Sequence, residues 1–200
     1  MTPPPPEFVG YEALIGFLRE HHLDTLEGDL IEIGAFMGGG TVKLAAFARM
    51  CAKKVFVVDV FDPALDETAS PRGATAQEIY LAFLQGRSMW DIYREATAGF
   101  DNIVTIRKDS RKVRLSKSQK FCFGFVDGCH QESFVINDFG IIWPRLVQGG
   151  AIGFHDWEFE DWPEVTRAVK RILSDHAADI ARTVELECGY GIRSLILFKK

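Results

Sequence analysis

The sequence predicts an α/β protein: an open, doubly wound, mostly parallel sheet of seven strands that finishes in an antiparallel hairpin. Three observations predict it. Short apolar runs alternate with segments of helical spacing, and strands that are apolar on both faces belong to a parallel sheet covered by helices on both sides. Several of those runs stop at an acidic residue, and in such sheets ligands bind beyond the carboxyl ends of the strands. A glycine-rich turn follows the first run, where the backbone must bend sharply or let a ligand come close.

Each element has its own reason. The opening "MTPPPPE" (1–7) has too many prolines for helix or sheet and is expected to be an extended, mobile tail. "FVGYEALIGFLREHH" (8–22) spaces its apolar residues for a short amphipathic helix despite two glycines. "GDLIEIGA" (28–35) reads as a buried strand, "GGTVKLAAFARMCA" (39–52) as a helix, and "KKVFVVDV" (53–60) as a second strand. Residues 61–75 are loop by composition, with two prolines and a glycine. Helical spacing follows to about Ala98 with an interruption at Gly86, so 61–98 reads as an insertion or lid. "NIVTIRKD" (102–109), "KFCFGFVDG" (120–128) and "GGAIGFHD" (149–156) supply three more strands. Helices are expected over Gln131–Leu146 and Trp162–Ala177, and two strand-like runs flank "CGYG" near the end. Residues 8–200 are therefore expected to form one domain.

Composition narrows the function classes. The 200 residues are 47% hydrophobic and 26% charged, as in an ordinary globular protein. A net charge of −5 argues against a nucleic-acid partner, and the basic stretch 107–120 reads as a solvated face. Cysteines 51, 122, 129 and 188 contain no CxxC pair; Cys51 and Cys122 sit in apolar surroundings and read as buried thiols of a reducing compartment. No run is long enough to span a bilayer and no signal-peptide pattern is present, so the expected location is the cytoplasm, without a membrane partner. Whether the chain forms a homo-oligomer is left open.

The glycine turn "LIEIGAFMGGG" places Gly34, Gly38, Gly39 and Gly40 between the first strand and its helix. It is not the dinucleotide fingerprint, because position 36 is Phe, and no Tyr-x-x-x-Lys pair occurs to serve a short-chain dehydrogenase. A carboxylate at Glu32 would repel a pyrophosphate but suits a cationic ligand, and Asp59, ending the second strand, is placed for two ribose hydroxyls. The plain alternatives are a tight turn without a ligand and an ordinary strand-end acid.

The motif E-x-G-x-x-x-G, followed by an acid closing the next strand, resembles that of the class I methyltransferases, which use S-adenosylmethionine. "VDGCH" with "DFGIIWPRLVQGGAIGFHDW" more narrowly resembles the branch of macrocin-type sugar O-methyltransferases and cephalosporin-hydroxylase-like proteins. The resemblance covers about residues 28–200 and implies their Rossmann-like sheet. It implies that Glu32, Gly34 and Gly38 border the methionine part of the cofactor, Asp59 the ribose, and Asp109 with Ser110 the adenine. It also implies that Asp127 and Asp156, on neighbouring strands, converge on a divalent cation. Oxygen-only ligands favour Mg²⁺. His130, close to Asp127 in D-G-x-H, is the expected general base; the alternative is a histidine that caps the next helix.

His155 divides between ligand and packing residue, because in a regular strand its side chain points away from that of Asp156. A third metal acid is sought among Asp138, Glu158 and Glu160. The loop 61–75, the first helix, Trp157 and Trp162 are the material for an acceptor pocket, with Phe36 and Met37 as candidates for the cofactor pocket's floor. The expected activity is metal-assisted transfer of methyl to a hydroxyl of a small molecule, whether sugar, phenol or natural product. The rivals are a non-catalytic or partner-dependent nucleotide-binding domain and an NAD-dependent oxidoreductase.

Overall fold

The computed structural model describes residues 5–200. A seven-stranded sheet organises it, built from β1 (Asp29–Ile33), β2 (Val55–Asp59), β3 (Ile103–Arg107), β4 (Phe121–Val126), β5 (Leu146–Trp157), β6 (Ile180–Glu187) and β7 (Arg193–Lys199). Their spatial order is β3-β2-β1-β4-β5-β7-β6. The first five are parallel, and β7 runs antiparallel to both β5 and β6. The order reverses at β1, whose neighbours are β2 and β4, and this switch point opens a crevice at the strands' carboxyl ends.

Alternation along the strands fills two cores. Leu30, Val57, Phe123, Phe125 and Ile196 face α1 (Tyr11–Glu20), α2 (Gly39–Met50) and α4 (Met89–Thr97). Ile31, Ile33, Val126, Phe154 and Leu197 face α5 (Glu132–Ile142) and α6 (Pro163–Asp175). The remaining helix, α3 (Ala76–Leu84), carries a Thr75–Glu78 capping box and leaves Leu81 and Phe83 exposed.

Several expected boundaries move for identifiable reasons. The helix foreseen over 8–22 begins only at Tyr11, because Gly10 takes φ +72° and the Glu7 carboxylate accepts the Val9 and Gly10 amides at 2.7 and 2.8 Å. Glu7 also meets Lys43 at 2.9 Å, so this end of the expected tail is fastened to the body of the protein; residues 1–4 lie outside the described residues. The helix foreseen through Leu146 stops at Ile142, where Pro144 enforces a single 3₁₀ turn, and Leu146 already belongs to β5. The 76–98 segment breaks where Gln85 and Gly86 take φ +48° and +79°. Cys122 is buried as expected; Cys51 is only partly so. Among the described residues no helix is long and apolar enough to cross a membrane.

Candidate functional site

The glycine turn is dictated by how closely two strand ends approach. Gly34 takes φ +91°, and a Cβ there would run into the carbonyl of Asp127, while the Asp127 amide donates to Ile33 O at 2.8 Å. Asp59 fastens the same turn from the other side. Its Oδ2 accepts the amides of Ala35 (2.7 Å) and Phe36 (3.1 Å), and its Oδ1 accepts that of Phe61 (2.6 Å). Burial pushes its carboxyl upward despite these donors.

A cleft of about 470 Å³ opens beyond this turn, lined by Gly34, Phe36, Asp59, Asp109, Ser110 and Asp127 among others. Four expected cofactor residues, Gly34, Asp59, Asp109 and Ser110, thus share one cavity. Asp109 is held by Arg111 at 2.7 Å, which keeps its carboxyl below the usual range. Asp138 stands behind Ser110: it is buried, bonded to Asn137 at 2.9 Å, and pushed up to about 6 by desolvation.

Two expected cofactor residues lie elsewhere. Glu32 lines neither this cleft nor the next. Strand alternation turns it to the face of Leu30, between α1 and α2, where Tyr11 Oη donates to it at 2.5 Å and the Thr41 hydroxyl donates to its other oxygen. Desolvation pushes Glu32 up to about 7 against those two hydrogen bonds. Gly38 is the residue before α2, at φ +86° and against the Tyr93 ring, so it shapes the turn without lining the cavity. Met37 is buried in the core, whereas Phe36 lines both clefts.

The second cleft, about 180 Å³, shares Gly34, Phe36, Tyr80 and Asp127 with the first and reaches His130, His155 and Asp156. Here the strand departs from regularity. Asp156 takes φ +57°, and between Phe154 and Trp157 three steps of β5 face two of β7, a bulge with one extra residue. His155 and Asp156 consequently turn to the same cluster. His155 Nδ1 lies 3.1 Å from Asp127 Oδ1 and 3.3 Å from Asp156 Oδ2. One ligand atom from each of the three falls within 4.8 Å of the others. Burial would lower the pKa of His155, but the charges of Asp127 and Asp156 outweigh it and hold the ring well above its ordinary value. His155 Nε2 is buried without a partner.

His130 stands beside them, its Nε2 3.1 Å from Asp156 Oδ2 and its ring stacked on Trp162 with centroids 4.3 Å apart. Its Nδ1 lies 3.4 Å from Asp66 Oδ2, near enough for charge but not aligned as a hydrogen bond. Burial opposes the charged form, yet Asp156 and Asp66 prevail and push His130 up to about 9. The expected general base thus stands between two acids that favour its protonated form.

The expected third acid is none of the three candidates: Asp138 sits behind Ser110, Glu158 pairs with Arg193 at 2.9 Å, and Glu160 pairs with Arg72 at 2.8 Å. The acid that reaches His130 is Asp66, from the 61–75 loop. That loop is tied down by Ser70 donating to Asp161 at 2.5 Å. No local pattern marks Asp66, Tyr11 or Thr41; each becomes visible only through its tertiary partner. Both tryptophans pack in the α6 core; Trp162 also lines the second cleft, and Trp157 donates to Glu185 at 3.2 Å.

A doubly wound sheet with this terminal hairpin, and a cleft at its switch point that gathers the glycine turn and the acids closing β2 and β4, define a class I methyltransferase, the S-adenosylmethionine-dependent class. The chain belongs to the methyltransferase domain family, which matches residues 31–157. The O-methyltransferase NovP superimposes with a TM-score of 0.67 at 13% identity, covering 95% of this chain and 79% of NovP. A TDP-rhamnose 3'-O-methyltransferase of calicheamicin biosynthesis gives 0.61 at 18% identity, covering 92% of this chain and 78% of that one. The S-adenosylhomocysteine-bound methyltransferase PaMTH1 of Podospora anserina gives 0.60 at 14%, covering 95% and 78%. An uncharacterised protein of Acanthamoeba polyphaga mimivirus is 42% identical over 52 residues, which is 26% of this chain and only 24% of that protein.

Proposed function

We propose that this methyltransferase acts on a hydroxyl oxygen of a small molecule and that a divalent cation assists it. The observation that carries the reading is the position of Asp127: it closes β4, lines both clefts, and faces His155 across 3.1 Å. A hydroxyl in the smaller cleft would meet there both the cofactor and a carboxylate able to take its proton.

S-adenosylmethionine, when bound, supplies a methyl that is already electrophilic, so the protein's task is to align an oxygen and manage one proton. Gly34 leaves the backbone bare beside the cofactor, Asp59 and Asp109 offer carboxylates to its hydroxyl and amino groups, and Ser110 is steadied by Asp138. Asp127 accepts the hydroxyl proton. His130 positions Asp156 and Asp66 and closes the loop over the site.

The donor set fits a cation. Two carboxylates already converge on one ring nitrogen, His155 Nδ1, and a divalent ion could take the place of a proton there. Asp127, Asp156 and His155 would hold it, and it would lower the pKa of a bound hydroxyl. The two carboxylates suit Mg²⁺ or Mn²⁺, and the one imidazole also admits Fe²⁺.

The test is calorimetric titration with S-adenosylhomocysteine, with NAD⁺ as control, followed by transfer assays on hydroxyl, amine and thiol acceptors with and without Mn²⁺. Selective S-adenosylhomocysteine binding and metal-stimulated O-methyl products are expected. Products methylated only on nitrogen or sulfur, or equal rates after chelation, would remove the hydroxyl or the metal part respectively.

A further inference from the structure

We propose that the smaller cleft is shaped for a single-ring aromatic acceptor, a phenol or catechol, rather than a sugar; this rests on the methyltransferase reading above and names its substrate class. Volume speaks first. The cleft holds about 180 Å³, and an apolar cavity of about 150 Å³ takes up one benzene ring. It has room for one ring with its hydroxyl.

The walls are aromatic. Phe36 lies against Tyr80 with centroids 5.3 Å apart and against Phe8 at 5.6 Å, and Trp162 presents the ring that stacks on His130. Flat faces of this kind receive another flat ring in offset or tilted stacking.

Polarity is confined to one end. Of the polar side chains along the cleft, Glu7 is taken by the Val9 and Gly10 amides and Lys43, Tyr11 by Glu32, and the Tyr80 hydroxyl by Asp66 at 3.4 Å. Those left to meet a ligand cluster where Asp127, His130, His155 and Asp156 converge. A sugar carries hydroxyls around its whole ring, and those facing Phe36, Ile79 or Phe159 would be buried without partners. A phenol or catechol carries its oxygen at one edge and apolar carbon elsewhere, matching that distribution.

In the reaction the phenolic oxygen gives its proton to Asp127 and forms a bond to the methyl carbon. The carbon–sulfur bond breaks with its electron pair on sulfur, leaving S-adenosylhomocysteine and an aryl methyl ether.

The experiment uses the full chain with S-adenosylmethionine and Mn²⁺ and compares catechol, phenol and methyl glucoside by kcat/KM, read as S-adenosylhomocysteine released. Catechol binding to the S-adenosylhomocysteine-loaded protein is followed in parallel by saturation-transfer NMR. Catechol or phenol is expected to exceed methyl glucoside by at least about tenfold. Ile79→Trp, which fills the cleft from its half-exposed wall, is expected to cost catechol turnover at least about tenfold while S-adenosylhomocysteine affinity stays within about twofold. Equal or better use of methyl glucoside, no catechol signal in the loaded protein, or an Ile79→Trp enzyme as active on catechol as the parent overturns the assignment. In each case intact S-adenosylhomocysteine binding leaves the methyltransferase reading standing. Loss of that binding in the parent protein would overturn both.

Discussion

His155 Nδ1 lies 3.1 Å from Asp127 Oδ1, across the ends of two neighbouring parallel strands. Asp156 Oδ2 completes the arrangement at 3.3 Å from the same nitrogen. Two buried or half-buried carboxylates this close to each other need a positive charge between them, since like charges at short range in a poorly solvated site repel strongly. A proton on His155, which the two acids favour, would meet that need in the protein alone, and a divalent cation could meet it more fully.

Replacing one of these acids should therefore separate chemistry from cofactor binding. Asp156→Asn is expected to lower turnover by about 100-fold, while S-adenosylhomocysteine affinity, measured by calorimetry, changes little because Asp156 does not line the larger cleft. Chelation of the parent enzyme should reproduce most of that loss, and Mn²⁺ should restore it. A variant whose affinity falls in step with its rate would place Asp156 at the cofactor instead.

His130 should leave a signature in stability. Its folded pKa of about 9 exceeds its ordinary value of 6.5, so native protein binds the proton more tightly than unfolded chain. That stabilisation is complete below about pH 6.5 and is lost as pH rises through about 9. His130→Gln should thus cost up to about 3 kcal/mol more near pH 6 than near pH 10. Urea unfolding of both proteins at the two pH values measures this; an identical cost at both would show that the ring is not held as a cation.

Gly34→Ala should be severe. The position combines φ +91° with backbone contact to Asp127, and a Cβ there is expected to cost about 3 kcal/mol or more. Gly140→Ala is the control: it lies within α5, exposed, with nothing within 4 Å of an added Cβ, and should stabilise by about 0.5–1 kcal/mol. Denaturant midpoints decide it, and similar midpoints for the two variants would contradict the close approach of β1 and β4.

Glu32→Gln tests the reassignment of that acid. With the carboxyl raised from 4.5 to about 7, parent protein loses stability as pH rises between those values. The amide has no proton to lose, so the variant should gain on the parent by up to about 3 kcal/mol between about pH 4.5 and pH 8. S-adenosylhomocysteine affinity should change less than about threefold. A large drop in affinity would return Glu32 to the cofactor.

Much of the fold was legible because its signals are local and repeated. Apolar runs such as "KVFVVD" and "FCFGFV" became strands, the break at Gly86 was real, and "CGYG" marked the turn between β6 and β7. Local signals also placed Asp59, Asp109, Ser110 and Asp127 at one edge, since each lies at or just beyond a strand's carboxyl end and these strands are parallel. The failures have a common form. Glu32 is one step inside its strand, and alternation turned it toward Tyr11 rather than outward. Trp157 and Trp162 were equal in sequence and both are buried in the α6 core, but only Trp162 also lines the smaller cleft, stacked on His130.

What the sequence determined by itself was the order of strands and helices, the glycine turn, and the row of acids that meets at the switch point. Periodicity and turn chemistry act over a few residues, and a single chain records them directly. Only the tertiary structure decided that His155 and Asp156 share one face and that Asp66 arrives from a distant loop to join Asp156 beside His130. Those outcomes depend on a one-residue bulge and on charges brought together from remote positions, and neither bulge nor burial is written in any short stretch of the chain.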